Sequence, residues 1–190
     1  MTTLPNTEQV WEALAQIPDP EIPVINVVEM GIVREVQIEG PKAIISMTPT
    51  FSGCPALHLI REQLEKTARS LGFAEVEVKT VLSPPWSTDW ITPEAKERLR
   101  QYGIAPPKPA QEQGSLIALE AAPTRCPRCG SFDTSVKNTF GPTLCKAIYV
   151  CNNCKEPFES FKTVYVTPAN PFQVKCNYVP PMLGYTIRAL

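Results

Sequence analysis

Thr48-Pro-Thr-Phe-Ser-Gly-Cys-Pro55 stands where one periodicity ends and another begins. Upstream, Ile32 to Glu39 and Lys42 to Thr48 are strand-like runs, and Gly40-Pro41 between them predicts a hairpin. Downstream, Leu57, Ile60, Leu64, Ala68 and Leu71 fall at spacings of three and four, as on a helix with one apolar face. Pro55 suits a first helical position, where no N–H is needed. Glu62–Lys66 and Glu65–Arg69 add i,i+4 pairs, and Gly72 supplies a stop. Residues 74–81 then alternate, with Glu75, Glu77 and Lys79 outward and Val76, Val78 and Thr80 inward. Farther out, Thr7 to Gln16 carries Val10, Trp11, Leu14 and Ile17 on one side, with Thr7 or Asn6 as cap and prolines at 18, 20 and 23 to end it. Thr92-Pro-Glu-Ala95 opens a last helix that closes near Gly103. The predicted order is α-β-β-α-β-α, a small α/β (α+β) domain over residues 1–104.

The remainder has a different character. Residues 1–105 hold 14 acids and 9 bases, a net of −5, whereas residues 106–190 hold 5 acids and 9 bases, a net of +4. Six of the seven cysteines fall in the second part. Residues 105–122, proline-rich at their start, read as a linker, which predicts separate cores on its two sides. With 43% hydrophobic and 19% charged residues, the chain can bury a core and is not disordered throughout. No long uncharged apolar run is present, so no membrane span is expected. The first basic residue is Arg34, which fits neither a secretory signal nor a transit peptide, so a cytoplasmic location is expected. In a reducing compartment, seven cysteines point to metal ligands or reactive thiols rather than disulfides.

Cys126-Pro-Arg-Cys129 and Cys151-Asn-Asn-Cys154 are two C-x2-C pairs separated by 21 residues. Each pair can offer two thiolates to one tetrahedral ion, and the chain between them is long enough for a strand hairpin. Gly130 suits the tight turn after the first pair. This is zinc-ribbon spacing over residues 123–162, with Zn2+ in a structural role. Four protein ligands leave no open position for chemistry, and about 40 residues need such a staple to hold a core. Cys145 is a fifth thiol beside that set, expected to be buried, with a reactive role or a second cluster contact left open. Residues 163–190, with Cys176, form a tail without a readable pattern.

Cys54 is expected at the N-cap of the helix that Pro55 begins, where backbone N–H groups and the helix dipole should lower its thiol pKa. Asp19-Pro-Glu21 places two acids in a turn ahead of the hairpin, which ordinary turn chemistry also explains. His58, the sole histidine, reads as an exposed helix residue. Trp86 and Trp90 are four apart in a proline-flanked stretch, an arrangement suited to exposed anchors for a partner.

Asp19-Pro-Glu21, Glu29-Met-Gly-Ile-Val33 and Thr50-Phe-Ser-Gly-Cys-Pro55 resemble the iron–sulfur assembly domain of SufT-type cluster-maturation factors. Pro84-Pro-Trp-Ser-Thr-Asp-Trp90, the segment from Thr92 to Ile104, and the cysteine module resemble, more narrowly, the PaaD-type family within phenylacetyl-CoA epoxidase systems. The resemblance spans about residues 8–162. It implies a non-catalytic accessory component that assists iron–sulfur cluster or metal assembly in the oxygenase during aerobic phenylacetate degradation. It also implies a transient iron–sulfur cluster or iron at Cys54, with Asp19 and Glu21 around it, and the oxygenase and reductase components as partners. Whether Cys54 acts in a monomer or across a homodimer is left open.

The residues themselves limit the alternatives. One histidine cannot furnish a two-histidine diiron set, and no G-x-G-x-x-G stretch offers a flavin or nicotinamide site. Nucleic-acid binding is disfavoured: the second part's +4 falls to +2 once four thiolates and one Zn2+ are counted, weak for a process driven by phosphate contacts. A thiol oxidoreductase would need one exposed low-pKa cysteine beside a resolving partner, and two pairs at ribbon spacing favour metal instead.

Overall fold

The computed structural model describes residues 4–50, 54–107 and 124–162. Most of the expected linker, the whole 163–190 tail and Cys176 lie outside the described residues. The elements appear in the predicted order. Helix α1 spans Thr7–Leu14, strands β1 and β2 span Val33–Glu39 and Lys42–Met47, α2 spans Leu57–Ser70, β3 spans Glu75–Thr80 and α3 spans Pro93–Tyr102. The α1 cap is Asn6: its Oδ1 accepts from the Gln9 N–H while the Gln9 Oε1 accepts from the Asn6 N–H, satisfying two donors at once. Thr92 caps α3 through Oγ1, Pro93 follows in the first turn, and Gly103 ends the helix in the left-handed region at φ 97°.

Strand β2 is the middle of a three-stranded sheet, antiparallel to β1 and parallel to β3. The Gly40-Pro41 loop closes the hairpin with Glu39 opposite Lys42. Helix α2 makes the crossover that parallel pairing of β2 and β3 requires. Ala43, Ile45 and Met47, alternate residues of β2, are fully buried in one core with Val10 and Leu14 of α1 and Ile60, Leu64 and Ala68 of α2.

The turn before β1 is held from outside the sheet. Glu29 pairs with Arg98 of α3, Arg98 Nε donates to the Val24 carbonyl at 3.0 Å, and the Thr92 N–H donates to the Glu29 carbonyl at 3.0 Å. Gly31 has φ +69°, and a Cβ there would lie 2.6 Å from Trp90 Cβ, so both backbone and space demand glycine.

The ribbon strands are β5 (Thr134–Asn138), β6 (Lys146–Cys151) and β7 (Pro157–Phe161). A short strand directly after α3, β4 (Ile104–Ala105), pairs in parallel with β7, giving a four-stranded sheet in the order β4-β7-β6-β5. The ribbon keeps a small core of its own, with Cys126, Ala147, Tyr149, Cys151 and Phe158, but it is not isolated from the α/β part. Phe161 of β7 is 3% exposed and belongs to the core of the α/β part, with its ring centroid 6.0 Å from that of Trp86. Chain continuity through β4 and this aromatic contact join what composition alone divides.

Trp86 is also corrected. It is 2% exposed, and its Nε1 donates to the Met30 carbonyl at 2.9 Å, so it is a core residue and not a surface anchor. Its ring packs against that of Phe161. Trp90 is half-buried, with the Arg34 guanidinium 3.5 Å from its ring centroid.

Candidate metal and cluster sites

The ribbon site is built by two knuckles. In the first, the Gly130 N–H donates to the Cys126 carbonyl at 2.9 Å, with Gly130 at φ +77°. In the second, the Lys155 N–H donates to the Cys151 carbonyl at 2.9 Å, with Lys155 at φ 64°. The two are tied together where Asn152 donates to Asp133 twice, from its backbone N–H to the carbonyl and from Nδ2 to Oδ1, each at 2.8 Å. The ligand atoms of Cys126, Cys129, Cys151 and Cys154 all lie within 4.8 Å of one another. Zn–S bonds of ~2.3 Å in a tetrahedron place sulfurs about 3.8 Å apart. The Cys126–Cys154 and Cys129–Cys151 separations are 3.8 and 3.5 Å, so the donor set fits one zinc ion. The Ser131 backbone N–H and the Asn153 amide hydrogen-bond to Cys129 and lower its thiol pKa, while the crowding of the other ribbon thiols raises that of Cys154. Cys126 and Cys151 are buried, Cys154 is half-buried and Cys129 is exposed, so the site closes against the ribbon on one side only.

The second site lies where the Asp19–Glu21 turn meets the start of α2. Asp19 is buried, and its Oδ1 accepts from the Glu21 and Ile22 N–H groups at 2.9 and 2.8 Å, the turn chemistry that Asp-Pro suggests. Burial nevertheless pushes its carboxyl above the usual range, outweighing those two bonds and the nearby Lys146. Glu21, half-buried, is also raised, first by burial and then by the Asp19 charge.

Cys54 sits beside these acids but not as the helix cap. Helix α2 starts at Leu57 with Ala56 in the cap position, and Cys54 occupies the turn before it, its carbonyl accepting from the Leu57 N–H at 3.2 Å. The expected fall in its pKa is reversed. Burial raises the thiol, and Glu21 and Asp19 raise it further, against the lowering by the Ala56 and Leu57 N–H groups. The helix start does supply donors, and tertiary surroundings outweigh them.

Sequence reasoning did not place Cys145 here. Its Sγ lies 3.8 Å from Glu21 Oε2 and 3.2 Å from Thr143 Oγ1, and burial pushes its thiol up to about 11. Cys54, Cys145, Asp19 and Glu21 line one small cavity, walled by Met30, Ile32, Met47, Leu57 and Ile60 among others. Cys145 is half-buried just before β6, and the adjacent Lys146 is buried with its Nζ 2.7 Å from Glu159 Oε2. The stretch Phe140 to Ala147 carried the only hint, a cysteine outside the ribbon spacing. His58 is exposed, as its spacing suggests. Among the described residues, no helix is long and apolar enough to cross a membrane.

Comparison with known proteins divides the chain in the same way. Residues 7–80 match the family model of iron-sulfur cluster assembly proteins, and residues 110–162 match that of the PaaD zinc beta ribbon domain. Over 91 residues the chain is 35% identical to the Bacillus subtilis "Fe-S protein maturation auxiliary factor YitW", covering 47% of this chain and 88% of that protein. Over 80 residues it is 32% identical to the Staphylococcus aureus "Fe-S protein maturation auxiliary factor SufT", covering 41% and 90%. One relative spans both parts: over 161 residues the chain is 44% identical to an Escherichia coli protein named as a component of the "Putative 1,2-phenylacetyl-CoA epoxidase", covering 84% of this chain and 94% of that one. An iron–sulfur assembly domain joined to a four-cysteine zinc ribbon, matched across both parts by that relative, places the chain in the PaaD family of phenylacetyl-CoA epoxidase components.

Proposed function

We propose that this protein is a non-catalytic, cytoplasmic accessory factor that handles an iron–sulfur cluster or iron for the multicomponent oxygenase that epoxidises the ring of phenylacetyl-CoA. The observation that supports this most directly is the position of Cys54. Its thiol shares a cavity with the Asp19–Glu21 turn, in the half of the chain that matches the iron–sulfur assembly model. Thiolate and carboxylate donors around a small, largely apolar cavity suit brief custody of a soft or borderline metal. The names of the matched relatives supply the maturation role and the pathway.

In this reading Cys54 is the transient contact, and Asp19 and Glu21 shape its surroundings. The ribbon zinc is structural, because its four thiolates leave no open position. The oxidation itself belongs to partner proteins. Of the two tryptophans, half-buried Trp90 is the one available to a partner.

The test is a deletion strain complemented by wild type or by Cys54→Ser. Growth on phenylacetate should fail in the deletion and the variant, while growth on a later, ring-opened intermediate continues. Oxygenase purified from the deletion strain should lack iron or cluster. A fully loaded, active oxygenase in that strain would overturn the maturation role.

A further inference from the structure

The cavity beside Cys54 draws its second thiol from the other half of the chain. Cys145 immediately precedes β6, and its place is set by backbone contacts: the Lys162 N–H donates to its carbonyl at 2.8 Å, and the Lys146 N–H donates to the Thr143 carbonyl at 3.2 Å. Its contact with Glu21 bridges a sequence separation of 124 residues. Phe161, which anchors β7 in the core of the α/β part, and the β4–β7 pairing hold this end of the ribbon against the Asp19–Glu21 turn. Two thiols and two carboxylates are thus collected in one cavity, and the neighbouring cation, Lys146, is engaged by Glu159.

Such a grouping is electrostatically unfavourable without a cation, because each group that ionises repels the next. It is also chemically selective. Two sulfurs and a carboxylate oxygen suit a borderline divalent transition metal such as Fe2+ better than Mg2+ or Ca2+, which prefer all-oxygen shells. As the described residues line it, the cavity has room for about one water-sized body, about 10 Å³, which suits a single ion.

We propose that Cys54, Cys145 and Glu21 form a single-ion site for a divalent transition metal, Fe2+ in the cell, assembled jointly by the assembly domain and the ribbon. This rests on the accessory reading above and specifies its cargo. On binding, both thiols release their protons to solvent as two metal–sulfur bonds form, and no electron is transferred. Among the described residues only the ribbon thiols have all their ligand atoms within 4.8 Å of one another, so in this site the three donors must draw closer for one ion to reach them all. Asp19 holds the turn that presents Glu21 and is a positioning residue.

The experiment uses full-length protein with zinc in the ribbon, kept reduced and anaerobic, and titrated with Co2+ as a spectroscopic substitute for Fe2+. Wild type should take up one cobalt beyond the zinc and develop a thiolate-to-cobalt charge-transfer band. Cys54→Ser and Cys145→Ser should each weaken cobalt binding at least ~10-fold and diminish the band, with ribbon zinc retained. Cobalt-edge X-ray absorption on wild type should count two sulfur neighbours, a readout independent of whether the variants fold. No cobalt uptake by wild type, or a single sulfur neighbour, overturns the proposal. If Cys54→Ser loses cobalt while Cys145→Ser binds it as wild type does, the two-part site fails and the Cys54 reading survives. Failure of that reading is seen separately, as full oxygenase maturation by Cys54→Ser in cells.

Discussion

Phe161→Ala tests whether the two halves of the molecule share one core. Phe161 lies in the last ribbon strand, yet it is 3% exposed among residues of the α/β part and pairs with Trp86 at 6.0 Å between ring centroids. Truncating a buried phenylalanine costs about 3–5 kcal/mol, and the lost aromatic pair, about 0.5–1.5 kcal/mol, favours the upper part of that range. For a chain of this size each kcal/mol moves Tm by about 2–4 °C, so a fall of roughly 6–20 °C is expected. Two probes should be followed in one melt: tryptophan fluorescence, which includes core Trp86, and zinc release, which reports the ribbon. In wild type both should change together, and in Phe161→Ala both should move down together. If zinc release shifts and fluorescence does not, or if the variant costs under about 1 kcal/mol, the shared core is wrong and the linker does separate two independent units.

The same coupling means that Cys126→Ser, or zinc chelation, should lower the Tm of the α/β part as well as unfold the ribbon, as circular dichroism and fluorescence melts would reveal. Trp86→Phe keeps most of the ring but strands the Met30 carbonyl, and should cost about 1–3 kcal/mol in urea unfolding, whereas Trp90→Ala should cost less and instead weaken capture of an oxygenase component. Asp19→Asn keeps the oxygen that accepts from the Glu21 and Ile22 N–H groups and removes a buried charge. Because burial raises the Asp19 carboxyl, the folded state favours its neutral form, and stability falls as pH rises from the ordinary carboxylate value through the raised one. Metal-free Asp19→Asn should therefore melt above wild type at neutral pH and match it at a pH where both are neutral; a lower Tm at neutral pH would refute this account. Cys54→Ser should leave the melt within a few degrees of wild type while accessory function is lost in complementation.

The sequence alone determined the elements of the α/β part and the ribbon site. Residues such as Leu57, Ile60 and Leu64, or Val76 and Val78, carry the period of their own element, and that period follows from backbone geometry within a few residues. The two C-x2-C pairs are legible for a similar reason: each knuckle is a local turn, and the metal supplies the long-range restraint that the spacing anticipates. Helix start signals were less exact, because Pro55 and Ala56 form a turn ahead of α2 and leave Cys54 outside its cap. Only the tertiary structure decided what the inward faces meet. Trp86 is buried with its Nε1 on the Met30 carbonyl, 56 positions earlier, and its ring against Phe161, 75 positions later; β4 pairs with β7 across the linker; and Cys145 reaches Glu21 across 124 positions. Periodicity reports that a residue turns inward but not which residue it will touch. The Cys54 thiol shows the consequence: the local helix start lowers its pKa, and the burial and carboxylates brought by distant chain segments raise it by more.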